Sequence, residues 1–185
     1  MSMINISNLT FGYDGSSENV FENVSFRIDT DWRLGFTGRN GRGKTTFLRL
    51  LLGKLEYSGT ISASVDFEYF PYNVGNTDNL TIDIIREISV DAEDWKIYRE
   101  MSLLDVSEDA LWRPWNTLSN GEQTKAILAG MFLRENAFLL IDEPTNHLDM
   151  EARQHLGEYL KRKKASVSFP TTGRFLIAVL TTFLQ

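Results

Sequence analysis

The chain has 185 residues, 42% of them hydrophobic and 24% charged, which is ordinary for a globular protein and enough for one domain with a packed core. A net charge of −6 gives no overall basic signature for nucleic acid, and the absence of cysteine excludes disulfides and thiolate chemistry. No apolar run reaches the ~18 residues of a membrane helix, and MSMINISNL lacks the basic start and apolar run of a signal peptide, so the expected location is cytoplasmic.

In chain order, MINISNLTF alternates apolar and polar residues and predicts a half-buried strand. YDGSSEN reads as a turn. VFENVSFRID and RLGFTG predict a second and third strand, the third running into a glycine-rich loop. KTTFLRLLLGKL has the apolar density of a buried helix, with Gly53 near its end. GTISASVDFEYFP predicts one or two short strands stopped at Pro71. Over residues 79–104 the spacing turns helical, with Ile82, Ile85 and Ile88 followed by Trp95, Tyr98 and Met101. GEQTKAILAGMFLRE predicts another helix, and AFLLID a strand covered on both faces. DMEARQHLGEYLKRK predicts an amphipathic helix with basic residues at its C-terminal end, where they complement the helix dipole. Early strands, a helical insert at about residues 79–118 and a central strand-loop-helix unit make this an α/β chain with a helical subdomain.

GRNGRGKT, from Gly38 to Thr45, matches G-x-x-x-x-G-K-[ST] and stands between a predicted strand and a predicted helix. Phosphates need several N–H donors converging on them. Gly38, Gly41 and Gly43 let the backbone turn its amides inward without Cβ clashes, and Asn40 and Thr46 belong to the same cradle. Lys44 carries a point charge to the β- and γ-phosphates, and the hydroxyl of Thr45 is placed to ligate Mg²⁺. The bland alternative is a glycine-rich turn before a helix. FLLIDEP then delivers two carboxylates at the end of a buried strand: Asp142 to hold Mg²⁺ and Glu143 to polarise the attacking water. Taken alone, two acids after a strand are a helix-start signal.

At LSNGEQ, Leu118 to Gln123, the chain resembles the ATP-binding cassette (ABC) ATPases, whose signature is LSGGQ-like. Asn120 stands at the first glycine of that signature, and asparagine tolerates left-handed geometry better than most residues. The resemblance implies that Ser119 and Gly121 face the γ-phosphate held by a partner cassette. The same residues spell a capping box, Ser119 with Glu122 three positions on, and both readings can hold. IDEPTNHLD resembles the ABC-F class, cytosolic twin-cassette proteins that act on ribosomes and have no membrane domain. Tyr13 lies where these ATPases stack an aromatic ring on adenine. Tyr72, in YFPY, replaces the glutamine that contacts Mg²⁺ and the attacking water, which implies slow hydrolysis or another group in its place. The wording of YFPY and GRNGRGKT is similar to the antibiotic-resistance branch of the Lsa type, implying ribosome protection against lincosamides, pleuromutilins and streptogramin A. The implied fold is a P-loop NTPase of the ABC ATPase type, with an antiparallel β subdomain and a helical subdomain. The implied ligands are ATP and Mg²⁺, and the implied partners are ribosomal RNA and a second cassette. An ATPase subunit of an ABC transporter is the competing reading.

The family's γ-phosphate-sensing histidine is expected near residues 170–172, and no histidine is there. Read one base earlier, codons for Phe169 to Phe175 permit Ser-His-Asp-Arg in that place, with the shift starting in the lysine codons of KRKK. Residues 1–164 therefore read as an incomplete N-terminal cassette and residues 165–185 as an aberrant apolar tail, whose FLIAVLTTFL is an aggregation hazard. On this reading nucleotide binding survives with little or no turnover. Trp112 and Trp115 read as packing around the signature loop, and KRKK as a solvated helix end or an RNA phosphate contact. His147 and His155 have no third ligand nearby, so no metal is assigned to them.

Overall fold

The structure is a computed structural model that describes residues 2–38, 43–135, 137–146, 148–163 and 165–170. Its architecture follows from two sheets with α1 (Lys44–Leu51) held between them. The first sheet is antiparallel, in the order β2-β1-β4, built from β1 (Met3–Phe11), β2 (Phe21–Asp29) and β4 (Ser58–Ser62).

Apolar alternation in β1 slips by one residue: Ile4 and Ile6 are buried, then Leu9 and Phe11. Asn8, at φ 52°, absorbs the extra residue as a bulge, so all four side chains stay on the face toward α1. Opposite the bulge, a Cβ on Gly59 would lie 2.5 Å from the Asn8 carbonyl oxygen, so only glycine lets β4 approach there.

The second sheet is parallel, in the order β3-β7-β6-β5, from β3 (Arg33–Gly38), β7 (Ala165–Pro170), β6 (Ala137–Asp142) and β5 (Asp66–Phe70). The β6 strand is covered on both faces, as its continuous apolar run predicts. Phe138 and Leu140 join the core around α1, whereas Leu139 and Ile141 join the core of the helices on the other side. Ala165–Pro170, assigned by sequence to an apolar tail, pairs with β3 from Arg33↔Ala165 to Gly38↔Pro170 and with β6 from Leu140↔Ser166 to Asp142↔Ser168. Residues 171–185, with the FLIAVLTTFL run, lie outside the described residues, as does Lys164.

The second core joins α2 (Thr81–Ile88), α3 (Asp94–Leu103), α4 (Asn120–Phe132) and α5 (Met150–Leu160), with short 3-10 turns at Glu108–Trp112 and Trp115–Thr117. The helical insert is closed at its neck: the amide of Thr81 donates to Arg113 O at 3.0 Å and that of Trp115 to Asn79 O at 3.0 Å. Ile82, Ile85, Ile88 and Met101 are buried as their spacing predicts, but Trp95 is not. It opens α3 on the solvent side under Lys96 and Arg99, and Ile97 takes the inward position. Trp115 is buried in the helical core and Trp112 is exposed.

The insert is tied to the rest of the chain by a buried carboxylate. Glu100 on α3 is 1% exposed and accepts from Tyr159 Oη of α5 at 2.6 Å, from Lys163 Nζ at 2.6 Å and from Arg99 at 3.1 Å. Burial works against its ionised form, but the bonds from Lys163 and Tyr159 outweigh it and hold the carboxyl below its usual range.

Candidate functional site at the C-terminal edge of the parallel sheet

Parallel strands place ligands beyond their C-terminal ends, and here β3 ends at Gly38 and β6 at Asp142 on the same edge. Asn40 and Gly41 lie outside the described residues, and so does His147. Gly43 caps α1 in the left-handed region at φ 88°. A Cβ there would sit 2.7 Å from Val20 Cγ1, so both the backbone angle and the space demand glycine. Lys44 and Thr45 are the first two residues of α1, where the free amides and the dipole favour an anion.

Thr45 and Asp142, 97 positions apart, meet directly: Thr45 Oγ1 donates to Asp142 Oδ2 at 2.7 Å. Tyr69 Oη of β5 donates to the same oxygen at 3.1 Å. The other oxygen, Asp142 Oδ1, is buried and has no hydrogen-bond partner among the described residues. A buried carboxylate oxygen without a donor is costly unless a cation or its water completes it. A hydroxyl and a carboxylate are the hard oxygen donors Mg²⁺ prefers, so Thr45 and Asp142 fit that ion. Burial, and next the charge of Asp142, push the Tyr69 phenol up to about 12, so it stays protonated and a donor.

Glu143 follows in the left-handed region at φ 48°, a strained conformation for a residue with a side chain. A turn holds it there: the Asn146 amide donates to Glu143 O at 3.2 Å, and Asn146 Nδ2 donates to Glu143 Oε2 at 3.1 Å. Glu143 and Asn146 border a cleft of about 310 Å³ whose other wall includes Phe70, Pro71, Asn120 and Gln123. Tyr72 packs against the helical core.

Ser119 caps α4, and the capping box is formed. Ser119 Oγ accepts from the Glu122 amide at 3.2 Å, and Glu122 Oε2 accepts from the Ser119 amide at 2.8 Å. Burial opposes the charge on Glu122, yet the Ser119 bonds and Arg113 leave its carboxyl below the usual range. Asn120 is the first residue of α4, and only Asn8, Asn23, Asp105 and Glu143 are non-glycine residues at positive φ among the described residues. The left-handed tolerance of asparagine is therefore not what lets it stand at the glycine position; the cap simply runs into helix. A Cβ on Gly121 would lie 3.3 Å from Leu148 Cδ2, a tight approach to the segment after β6.

Tyr13 is 45% exposed at the end of β1, edge-on to Phe11, and its hydroxyl bonds to Thr46 Oγ1 at 2.7 Å. That bond fixes an open ring beside the first turn of α1. The two motifs pair Thr45 with Asp142 and Glu143 in sequence, but neither motif points to Tyr69 or Asn146. The signal for Tyr69 is strand parity: Tyr69 pairs with Leu140, two residues before Asp142, so the two point to the same face of the sheet.

A family model described as "ABC transporter" matches residues 21–146, which include Gly38–Thr46, Ser119, Gly121, Asp142 and Glu143 but not Tyr13. The chain is 28% identical over 183 residues to ABC transporter F family member 2 of Arabidopsis thaliana, covering 95% of this chain and 27% of that protein. It is 27% identical over 186 residues to the probable ATP-binding protein YbiT of Escherichia coli O157:H7, covering 97% of this chain and 35% of that one. The chain thus spans about a quarter to a third of the length of these relatives. In fold it is similar to a solved structure from Pyrococcus furiosus described as "Putative ABC transporter (ATP-binding protein)", with a TM-score of 0.77 at 20% identity over 94% of each chain. No helix among the described residues is long and apolar enough to cross a membrane.

Proposed function

The chain belongs to the ABC transporter family, and we propose that it is an ABC-F cassette that binds Mg-ATP at the edge of its parallel sheet, the γ-phosphate being cleaved in the intact protein when a second cassette closes over it. The observation that carries this reading is the meeting of Thr45 with Asp142 beside Glu143, with Asp142 Oδ1 left for a cation. Gly38, Asn40, Gly41 and Gly43 cradle the phosphates with backbone amides, Lys44 adds its charge at the β- and γ-phosphates, and Thr46 anchors Tyr13, whose open ring face stacks on adenine. Thr45 and Asp142 hold Mg²⁺. When bound, the ion offsets the charge developing on the phosphate oxygens. Glu143 orients the attacking water and accepts its proton on the carboxylate, which Asn146 keeps in place. Ser119 and Gly121 present the start of α4 to the γ-phosphate of the partner cassette, the capping box keeping that turn rigid.

In the same reading the intact protein is cytoplasmic and protects the ribosome against lincosamides, pleuromutilins and streptogramin A. Its support is the wording of EPTNHLD, YFPY and GRNGRGKT. Phosphate release from Mg-ATP is the test: wild type turns over and Glu143→Gln does not, whereas equal, measurable rates for the two refute a role for Glu143. A second reading is a nucleotide-binding module without turnover. The packing of Tyr72 against the helical core favours it, because no amide then stands at the position where the family uses glutamine. Release absent from both proteins supports that reading. The frame-shift origin of residues 165–185 is proposed on the codons that their residues permit, and the gene sequence across them decides it: another frame without Ser-His-Asp-Arg overturns the idea.

A further inference from the structure

The two donors that reach Asp142 among the described residues both fall on one of its oxygens. Oδ2 accepts from Thr45 at 2.7 Å and from Tyr69 at 3.1 Å, while Oδ1 is buried and has no partner among the described residues. Without a second donor the carboxylate can turn about its last torsion, which is broad for aspartate, and present either oxygen. Tyr69 is that second donor. It comes from β5, the neighbouring strand, in fixed register: Tyr69 pairs with Leu140 and Phe70 with Ile141. Its ring is partly buried against the core around α1, and Lys54 Nζ lies over the ring, 5.5 Å from its centroid. The ring is thus held by packing and the hydroxyl by the carboxylate, 73 positions away in sequence.

We infer that Tyr69 is a positioning residue: its hydroxyl pins Oδ2 of Asp142 and so reserves Oδ1 for the divalent cation that accompanies the nucleotide. The inference rests on the Mg-ATP reading of this site. Thr45 has a use for its hydroxyl on the ion itself, and a second donor on Oδ2 keeps the carboxylate oriented whichever partner Thr45 takes. Tyr69 acts through Asp142, the carboxylate its hydroxyl is bonded to.

The experiment uses the full 185-residue chain. Mn²⁺ is titrated into wild type and Tyr69→Phe with a non-hydrolysable ATP analogue present, bound Mn²⁺ being read by electron paramagnetic resonance. A fluorescent ATP analogue in EDTA reports metal-free nucleotide affinity. Loss of one hydrogen bond to a charged group predicts that half-saturating Mn²⁺ rises about tenfold in Tyr69→Phe. Metal-free nucleotide affinity stays unchanged, and in an Asp142→Ala background Tyr69→Phe has no further effect on Mn²⁺. Equal Mn²⁺ affinity for wild type and Tyr69→Phe overturns the inference while leaving the nucleotide site standing. Parallel loss of Mn²⁺ and metal-free nucleotide binding overturns it too, since Tyr69 is then a packing residue. Wild type that binds nucleotide no better with Mn²⁺ than in EDTA overturns the Mg-ATP reading and this inference together.

Discussion

Replacing Tyr159 with phenylalanine removes one hydroxyl and leaves the packed ring in place, which isolates the tie between the helical insert and α5. In the wild type that hydroxyl donates to Glu100 Oε2 at 2.6 Å, and Glu100 is 1% exposed. A hydrogen bond to a buried charge contributes about 1.5–3 kcal/mol. Lys163 and Arg99 still serve the carboxylate at 2.6 and 3.1 Å, so the loss falls at the lower end, about 1.5–2 kcal/mol. For a chain of this size that is a fall in Tm of about 3–8 °C. The effect depends on pH in a set direction. The folded-state pKa of Glu100 lies below its unfolded value, so its stabilisation is fully present above the unfolded carboxylate pKa and is lost as pH falls through the folded one. The gap between wild type and variant is therefore full at neutral pH and shrinks in acid. Urea unfolding followed by tryptophan fluorescence, to which the buried Trp115 contributes, measures it at several pH values. A loss under about 0.5 kcal/mol that does not change with pH would refute the reasoning, because the carboxylate would then be solvated rather than buried and tied.

Ser119→Ala removes the α4 cap and lowers stability by about 1 kcal/mol in chemical denaturation, with Ser119→Gly costing less; equal stability of wild type and Ser119→Ala would mean the capping box contributes nothing. Asn146→Ala frees the Glu143 carboxylate and lowers the rate of phosphate release about tenfold without weakening nucleotide binding; a change confined to affinity would place Asn146 in binding instead.

Much of the fold is legible in the sequence because its signals are local. The apolar run of β6, bordered by charge, leaves little but a strand covered on both faces, and Gly43 before Lys44 marks a helix start that only glycine allows. The bulge at Asn8 is written in the slip of alternation from Ile6 to Leu9, although the break is visible only once the strand is known to have one buried face. Trp95 misled because a helical spacing fixes a face only when its starting turn is known, and α3 begins at Asp94. The site contacts are another matter. Thr45 with Asp142 follows from pairing two motifs, but Tyr69 with Asp142 needs the strand order, which puts β5 beside β6. The Tyr13 bond to Thr46 needs the two sheets to enclose α1. Neither is written in the spacing of the residues themselves.

The central claim is that the loop ending at Lys44 and Thr45, with Asp142, forms a Mg-ATP site. Equilibrium binding of ATP to wild type and Lys44→Ala, with and without Mg²⁺, tests it most directly. The account predicts binding by wild type that tightens with Mg²⁺ and weakens at least about tenfold, or 1.4 kcal/mol, in Lys44→Ala. Equal binding by the two proteins, or none by wild type, would contradict it.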